Sequence, residues 1–367
     1  MDRVTALEIL VDAAQLPLSH WRARYPEYRA MGVLCSYVPE EMLHAAGFTP
    51  VRVRGTSAPL QRVDAHLQSF TCALCRSALD QALAGELGGL AGTVFAHTCD
   101  AMQALADLWR MNSAEAHFVE VVMQPVNLGS PAARVYLVAE LGRFREHLGA
   151  YAGRPIDDEA LRSSIGLYDE TRRLVQALAG RRERLRAPDF FAVLDAAQAM
   201  PRRLFDPLLV RLLGELESAP RRATGPRLFL TGAILDEPQV PELIEELGAQ
   251  VVGDDLCSGS RHFHGQVGSG GDPIENLADY FLRRPPCPTK LSPSHDAGRH
   301  LLDQVRETRA GGVVFLVEKY CEPHAFEHAL LRPVLERAGV PYLVRAMEQT
   351  PSLEGLRTRL QAFVEML

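Results

Sequence analysis

Several features that identify membrane or nucleic-acid-binding proteins are missing from this sequence. No uninterrupted apolar run in its 367 residues approaches the length of a membrane-spanning helix. The formal net charge is -7, whereas a nucleic-acid surface needs concentrated basic charge. Lysine is scarce, since Lys290 and Lys319 are the only two and all other cationic side chains except histidine are arginine. The composition therefore predicts that the protein binds neither membranes nor nucleic acid.

Common nucleotide-binding and hydrolase motifs are also absent. The glycine-rich segment 267–273 lacks the Lys-Ser/Thr pair of a phosphate-binding loop. No G-x-S-x-G elbow occurs, and no glycine-rich dinucleotide fingerprint follows a first strand. The acids Asp2, Glu8 and Asp12 do not suit a signal or transit peptide, so we expect a cytoplasmic protein.

The seven cysteines are then expected to be reduced. An odd number of thiols in a reducing compartment argues against a disulfide framework. Metal binding, redox chemistry or simple burial remain as interpretations.

The alternation of apolar runs and amphipathic segments predicts the fold class. Strands separated by helices indicate βαβ units with parallel sheets, and the segment from about 131 to 219 has helical spacing throughout. We therefore predict an α/β protein with two doubly wound, Rossmann-like domains and a helical insertion, divided as 1–130, 131–220 and 221–367. Residues 219–227 are the best linker candidate. The predicted strands are 32–38, 49–55 (alternating, hence half-buried), 92–98, 117–125, 227–233, 249–257, 311–321 and 340–347.

Three cysteines lie at the carboxyl ends of predicted strands or in the turns after them: Cys99, Cys257 and Cys321. In open α/β sheets, ligands bind in the crevice beyond these strand ends. Cys99 and Cys321 each precede an acid and a predicted helix, whose N-terminus stabilises a thiolate. Burial as a small hydrophobe is the commoner role of a single cysteine. That interpretation stays ahead for Cys35, Cys257 and Cys287, whereas the equivalent placement of Cys99 and Cys321 favours ligands.

The other candidate ligands leave alternatives open. Cys72 and Cys75 begin a predicted helix, but no second Cys or His pair lies nearby to complete a zinc site. The same pair could be a thioredoxin-like dithiol, but the sequence features that accompany that motif in its family are not found around it. His262 and His264 alternate in a polar loop, which explains them as well as metal binding does. Cys35 lies within a predicted strand.

Seven segments in fixed order resemble one family. From about Gly32 to the C-terminus, the chain resembles the 2-hydroxyacyl-CoA dehydratase and benzoyl-CoA reductase family, in its iron–sulfur subunits. The segments are CSYVPEEMLHAAGFTPVRVRG, LQSFTCALCRSALDQALAGEL, TVFAHTCDAMQALADLW, LTGAILDEP, VVGDDLCSGSRHF, PCPTK and FLVEKYCEPHAFEHALLRPVLERAGVPYL.

The resemblance implies a [4Fe-4S] cluster in an interdomain cleft, held by three cysteines. The matching positions here are Cys72, Cys99 and Cys321. Cys75 leaves the choice of the first ligand open, and Cys35 and Cys257 could add sulfur. A sister group of reductases with a double-cubane [8Fe-9S] cluster therefore remains an alternative.

The resemblance also implies an ATP-activated enzyme that acts on acyl-CoA thioesters. It is either a lyase, removing water by a syn-type radical dehydration through a ketyl, or an oxidoreductase related to benzoyl-CoA reductase. The implied partners are a paralogous subunit or a second copy of the chain, and an ATP-hydrolysing iron–sulfur activator. A non-catalytic binding subunit that pairs with a paralogue is the rival of another class.

The CSYVPEE segment contains the candidate catalytic groups, a serine and one of two adjacent glutamates. Ser36 matches a position near the substrate in the resemblance, although a strand-end serine also satisfies backbone groups. Glu40 or Glu41 could serve as a base, but acids in a first turn commonly cap helices.

Four further charged residues have more ordinary expectations. Arg76 and Arg261 could pair with cluster charge or a CoA phosphate, although an arginine usually faces solvent. Asp100 and Glu322 are expected to cap the helices after their cysteines.

Overall fold

The structure is a computed structural model that describes residues 4–56, 58–113, 117–222, 225–236, 238–347 and 353–367. Its described strands are β1 (Ala30–Leu34), β2 (Thr49–Arg52), β3 (Leu90–His97), β4 (Val119–Met123), β5 (Arg227–Gly232), β6 (Gln250–Leu256), β7 (Gly312–Glu318) and β8 (Tyr342–Met347). Its described helices are α1 (Ala6–Ala14), α2 (Leu18–Arg24), α3 (Glu40–Ala45), α4 (Ala73–Leu83), α5 (Asp100–Asn112), α6 (Ala133–Ala152), α7 (Asp158–Ala179), α8 (Ala187–Ala197), α9 (Arg202–Ser218), α10 (Gln239–Glu246), α11 (Pro273–Arg283), α12 (Ala297–Thr308), α13 (Glu322–Ala338) and α14 (Leu353–Met366).

The strands form two four-stranded sheets with the same topology. Their orders are β2-β1-β3-β4 and β6-β5-β7-β8, and every neighbouring pair is parallel. The carboxyl ends of each sheet therefore meet at one edge, with a change of winding direction between the first and third strands. Each strand overlaps a predicted apolar run, and the predicted α/β class is confirmed.

The first sheet is more deeply covered than predicted. Every residue of β1 and β2 is buried, so the prediction that the second strand is half-buried is wrong. The backbone N–H of Arg52 donates to the carbonyl of Gln198 at 2.8 Å, just after α8. The helical segment thus covers this edge of the sheet, and the Arg52 side chain is buried with it.

Helices α6 to α9 lie between the two sheets in sequence, where helical spacing was predicted. The main apolar core combines residues of the first sheet (Leu34 and Phe95) with residues of the second (Leu228 and Leu316). Helices α8 and α9 contribute to the same core. The boundaries at 130 and 220 remain predictions, and residues 223–224 of the linker candidate lie outside the described residues.

The longest described helix is α7, with 22 residues. It carries charged side chains along its length, as do the shorter helices around it. Across the described ranges, no helix combines the length and apolar character that a membrane crossing requires.

Candidate functional site

Three cysteines occupy the N-cap positions of helices. They are Cys72 before α4, Cys99 before α5 and Cys321 before α13. Cys99 comes two residues after β3 and Cys321 three residues after β7, the third strand of its sheet in each case. The two thiols therefore occupy equivalent positions in the two sheets, as their sequence context predicts. The positive end of a helix faces each sulfur.

Asp100 and Glu322 are the first residues inside α5 and α13, and neither is an N-cap. The expectation that they cap these helices is wrong, because the preceding cysteines hold the cap positions. An acid in the first turn still interacts favourably with the helix dipole.

The same three cysteines line one cavity of about 1000 Å³. Its walls come from loops at the carboxyl ends of both sheets, and Cys287 is a fourth thiol in them. The thiols of Cys321 and Cys75 are near enough to that of Cys72 to lower its pKa. Cysteines that lie far apart in the sequence are thus brought to a common space.

Cys72 and Cys75 have different environments. Cys75 lies in the first turn of α4, is 1% exposed and packs in the apolar core. Cys72 is less buried and lines the cavity. Hydrogen bonds from Cys321 and Cys75 hold the pKa of Cys72 well below its usual range. The geometry therefore favours Cys72 as the cavity-facing member of the pair.

The other two candidate ligands are protonated thiols in this environment. The hydrogen bond to Cys72 and burial raise the pKa of Cys321. Burial raises the pKa of Cys99 to about 12, although the backbone N–H of Met102 opposes it. Burial thus outweighs the helix N-terminus, and metal binding would have to displace these protons.

The donor set suits a cluster better than a single ion. Among the described residues, no group of three or more His, Cys, Asp or Glu side chains is arranged to hold one metal ion. A polynuclear iron–sulfur cluster is several atoms across, so its ligands stand farther apart, and cysteine thiolate is its usual ligand. Cys72, Cys99 and Cys321 fit such a group in their chemistry and in the cavity they share.

Cys35 lies beyond β1, so its predicted place within a strand is wrong. Its backbone has a φ of 86°, a left-handed conformation that ends the strand and that few residues other than glycine adopt. The Cys35 thiol is 3.5 Å from the hydroxyl of Thr98. This strained residue therefore lies next to the loop that carries Cys99.

His324 contacts Cys257 and lowers the pKa of Cys287. The Cys257 sulfur is 3.8 Å from the His324 Nε2 atom. Burial raises the pKa of Cys287, but the hydrogen bond and charge of His324 outweigh it and bring the pKa to about 7. Sequence reasoning did not select Cys287 as a site residue. Its only signal was the PCPTK segment, in which a thiol stands between two prolines.

Ser36 and Glu40 line a second, much smaller cavity of about 20 Å³. Glu40 accepts a hydrogen bond from Arg202 at 2.9 Å and lies 3.3 Å from His262 Nε2. Burial raises the pKa of Glu40, but His262, Arg202 and Arg52 together lower it to about 2. A carboxylate held this strongly is a weak base at neutral pH.

Glu41 pairs with Arg172 at 2.7 Å in the same buried region. The expectation that Glu40 and Glu41 cap α3 is therefore wrong, because both side chains form buried ion pairs. Ser36 is buried as well, and its carbonyl accepts a hydrogen bond from Arg284 at 2.9 Å.

The remaining candidates lie apart from the cysteine cavity. Arg261 is buried and pairs with Asp255 at 2.8 Å, which contradicts its expected solvent-facing position. Arg76 is partly buried and pairs with Asp64. His264 is exposed, and His262 pairs with Glu40.

The fold and the site together define an α/β protein with two parallel sheets and a cysteine-lined cavity at their carboxyl ends. Residues 35–367 match the family described as 2-hydroxyglutaryl-CoA dehydratase, D-component, and the chain belongs to this family. The predicted resemblance is confirmed.

Three relatives are similar to this chain over nearly their whole length. The (R)-phenyllactyl-CoA dehydratase beta subunit of Clostridium sporogenes is 28% identical over 92% of this chain and 92% of its own. A benzoyl-CoA reductase subunit of Thauera aromatica is 28% identical over 95% of this chain and 93% of its own. The beta subunit of (R)-2-hydroxyglutaryl-CoA dehydratase from Acidaminococcus fermentans is 25% identical over 92% of each chain.

Proposed function

We propose that this chain is the iron–sulfur subunit of an ATP-activated enzyme acting on acyl-CoA thioesters. The reaction is a radical 2-hydroxyacyl-CoA dehydration or a reduction of the benzoyl-CoA reductase type, since relatives of both kinds are equally similar. The observation that carries the proposal is the convergence of Cys72, Cys99 and Cys321 on one cavity.

When bound by these three cysteines, a [4Fe-4S] cluster would supply one electron and, at the iron without a cysteine ligand, a Lewis acid. A cavity of about 1000 Å³ is at the upper end of the usual range for small-molecule sites. It has room for the acyl end of a thioester beside the sulfurs. Apolar wall residues such as Leu331 and Val334 help to exclude water.

Direct catalysis by Ser36 or Glu40 has less support. Both residues line the smaller cavity, and the carboxylate of Glu40 is committed to its ion pairs. We propose that Glu40 holds the loop after β1 in place. Ser36 follows Cys35 directly, and a role in orienting the thioester carbonyl stays a proposal for it.

Exposed apolar side chains at the cavity support a partner subunit. Phe326 is 71% exposed and Leu330 is 75% exposed, and both line the cavity. Exposed apolar groups clustered at a site mark interaction surfaces. We propose that a paralogous subunit or a second copy covers this face, and that a separate ATP-hydrolysing iron–sulfur protein delivers the electron. A thiol-held cluster also agrees with a reducing, cytoplasmic location.

A double-cubane cluster is the second candidate, and one observation favours it. Cys287 lines the cavity, the Cys35 sulfur lies 3.5 Å from the hydroxyl of Thr98 in the cavity wall, and the Cys257 sulfur lies 3.8 Å from His324 Nε2. Sulfur beyond the three proposed ligands is thus available close to the cavity.

The test is iron and acid-labile sulfide analysis of protein purified without oxygen. We expect about four irons per chain for the cubane, against about eight for the larger cluster. Alanine variants of Cys72, Cys99 and Cys321 should each lose the cluster. Cys75→Ala is the matched control, because Cys75 lies one turn from Cys72 but is buried outside the cavity wall. A full cluster in Cys99→Ala or Cys321→Ala, or its loss only in Cys75→Ala, would refute the ligand assignment.

A further inference from the structure

Lys290, one of only two lysines in the chain, is buried in the wall of the cysteine cavity. Its side-chain position follows from backbone pairing. Leu291 N–H donates to the Val126 carbonyl at 2.8 Å, and Leu128 N–H donates to the Leu291 carbonyl at 2.8 Å. The segment after Cys287 is thereby fastened to the loop that follows β4, at the carboxyl end of the first sheet.

The charges around this cavity are unbalanced. Within the part of the chain that the structure describes, Lys290 is the only lysine or arginine that lines it. The carboxylates that line it are Asp100, Asp296, Glu322 and Glu327. None of these four, nor any other carboxylate of the described residues, forms a salt bridge with the Lys290 ammonium. The cation is therefore not neutralised by the acids that share its cavity.

The immediate contacts of the ammonium are polar or aromatic, not anionic. Lys290 Nζ lies 3.5 Å from the carbonyl of Gln124 and 5.3 Å from the centre of the Tyr37 ring. Lys290 is only 8% exposed. A buried charge without an anionic partner is costly, so such a site calls for an anion.

Thiols share this cavity with Lys290. Burial lowers the pKa of Lys290, and the cavity wall that contains it also contains Cys72, Cys99, Cys287 and Cys321. Cys99 is also one of the three proposed cluster ligands. The ammonium therefore lines the same cavity as a sulfur through which a bound cluster would be attached.

We propose that the Lys290 ammonium is the counter-ion of the bound cluster and raises its reduction potential. This inference rests on the proposed function. Reduction by one electron makes the cluster more negative while its bonds remain in place. A buried cation stabilises that added charge much more than an exposed one, because little solvent screens it. Lys290 influences the reaction only through the potential of the cluster, so we class it as a positioning residue and not as a catalytic one.

The experiment is a redox titration of the anaerobically purified full chain with titanium(III) citrate, followed by electron paramagnetic resonance. In Lys290→Met and Lys290→Gln, we expect the reduction equilibrium to shift at least tenfold toward the oxidised cluster, a shift of about 59 mV for one electron. Lys290→Arg should remain close to wild type, because it keeps the charge. Lys319→Met is the matched control, since Lys319 is exposed and lies two residues before Cys321.

Each outcome of the titration bears on the charge at Lys290. An unchanged potential in Lys290→Met, or an equal shift in Lys319→Met, overturns the inference. If the neutral variants lose the cluster while Lys290→Arg retains it with the wild-type potential, the requirement for a charge is supported. If all three Lys290 variants lose the cluster while the fold stays intact, the site requires the shape of the lysine side chain and not its charge. That result would overturn the inference. A wild-type protein without iron would instead refute the proposed function.

Discussion

At the scale of single residues, burial and pairing decide which groups in this protein carry charge. The thiols of Cys321 and Cys75 lower the pKa of Cys72, whereas burial raises the pKa of Cys99, which occupies the same kind of helix N-cap. Glu40 is also buried, yet its arginine and histidine neighbours lower its pKa and keep it ionised. Position on a helix alone would not distinguish these cases.

The pairing of Glu40 predicts a stability change in acid. Its pKa is about 2 in the folded protein, below the ordinary 4.5, so the unfolded chain binds the proton more readily. This contribution is present above pH 4.5 and is lost as the pH falls toward 2. It amounts to about 3 kcal/mol at most.

The measurement is the free energy of unfolding by urea between pH 6 and pH 3. Glu40→Gln should unfold more easily at pH 6 and should show a smaller loss on acidification than wild type. An identical pH slope in both proteins would contradict the ion-pair assignment.

At the scale of elements, one glycine determines how closely two strands of the second sheet approach. Gly232 ends β5 with a φ of 134°. A Cβ atom there would lie 2.0 Å from the carbonyl oxygen of Leu316 in β7. The next residue, Ala233, accepts a hydrogen bond from the N–H of Cys257 at 2.7 Å, which fixes the backbone on the other side. No side chain fits at position 232 without moving one of the two strands.

We therefore expect Gly232→Ala to destabilise the protein by about 2–4 kcal/mol. Gly214→Ala is the control, because Gly214 lies on the exposed side of α9 with no atom near its missing Cβ. That change should stabilise the helix by about 0.5–1 kcal/mol. Thermal or urea unfolding measures both, and equal effects of the two changes would contradict the close approach.

At the scale of the whole molecule, the cavity depends on both sheets. Cys72 and Cys99 come from the first half of the chain, and Cys287 and Cys321 from the second. The shared apolar core holds these halves together. Phe326 and Leu330 both line this cavity. Among the described residues, nothing covers most of either side chain.

Because we propose that another subunit covers this face, a charge introduced there should weaken the assembly. Leu330→Asp should lower the molecular mass of the anaerobically purified holoprotein complex, measured by light scattering, because it places a charge in an apolar contact. Val135→Asp is the control, since Val135 is 71% exposed on α6 and does not line the cavity. An unchanged mass in Leu330→Asp, or the same loss in both variants, would refute this surface.

The local periodicity of the sequence by itself determined much of the secondary structure of this protein. The eight strands of the described residues, the central helical segment and the equivalent positions of Cys99 and Cys321 follow from apolar spacing and from residues that begin helices. These features depend on neighbours within a few residues, which a linear pattern records. The ordered motifs likewise identified the family.

Only the tertiary structure decided which distant residues share a space. Glu40 meets Arg202, 162 positions away, in a cavity separate from the cysteines. Cys287 and Lys290 join the cysteine cavity through a loop that pairs with the end of the other sheet. Such contacts depend on how whole elements pack, because the burial pattern of one segment contains no record of the segment that covers it.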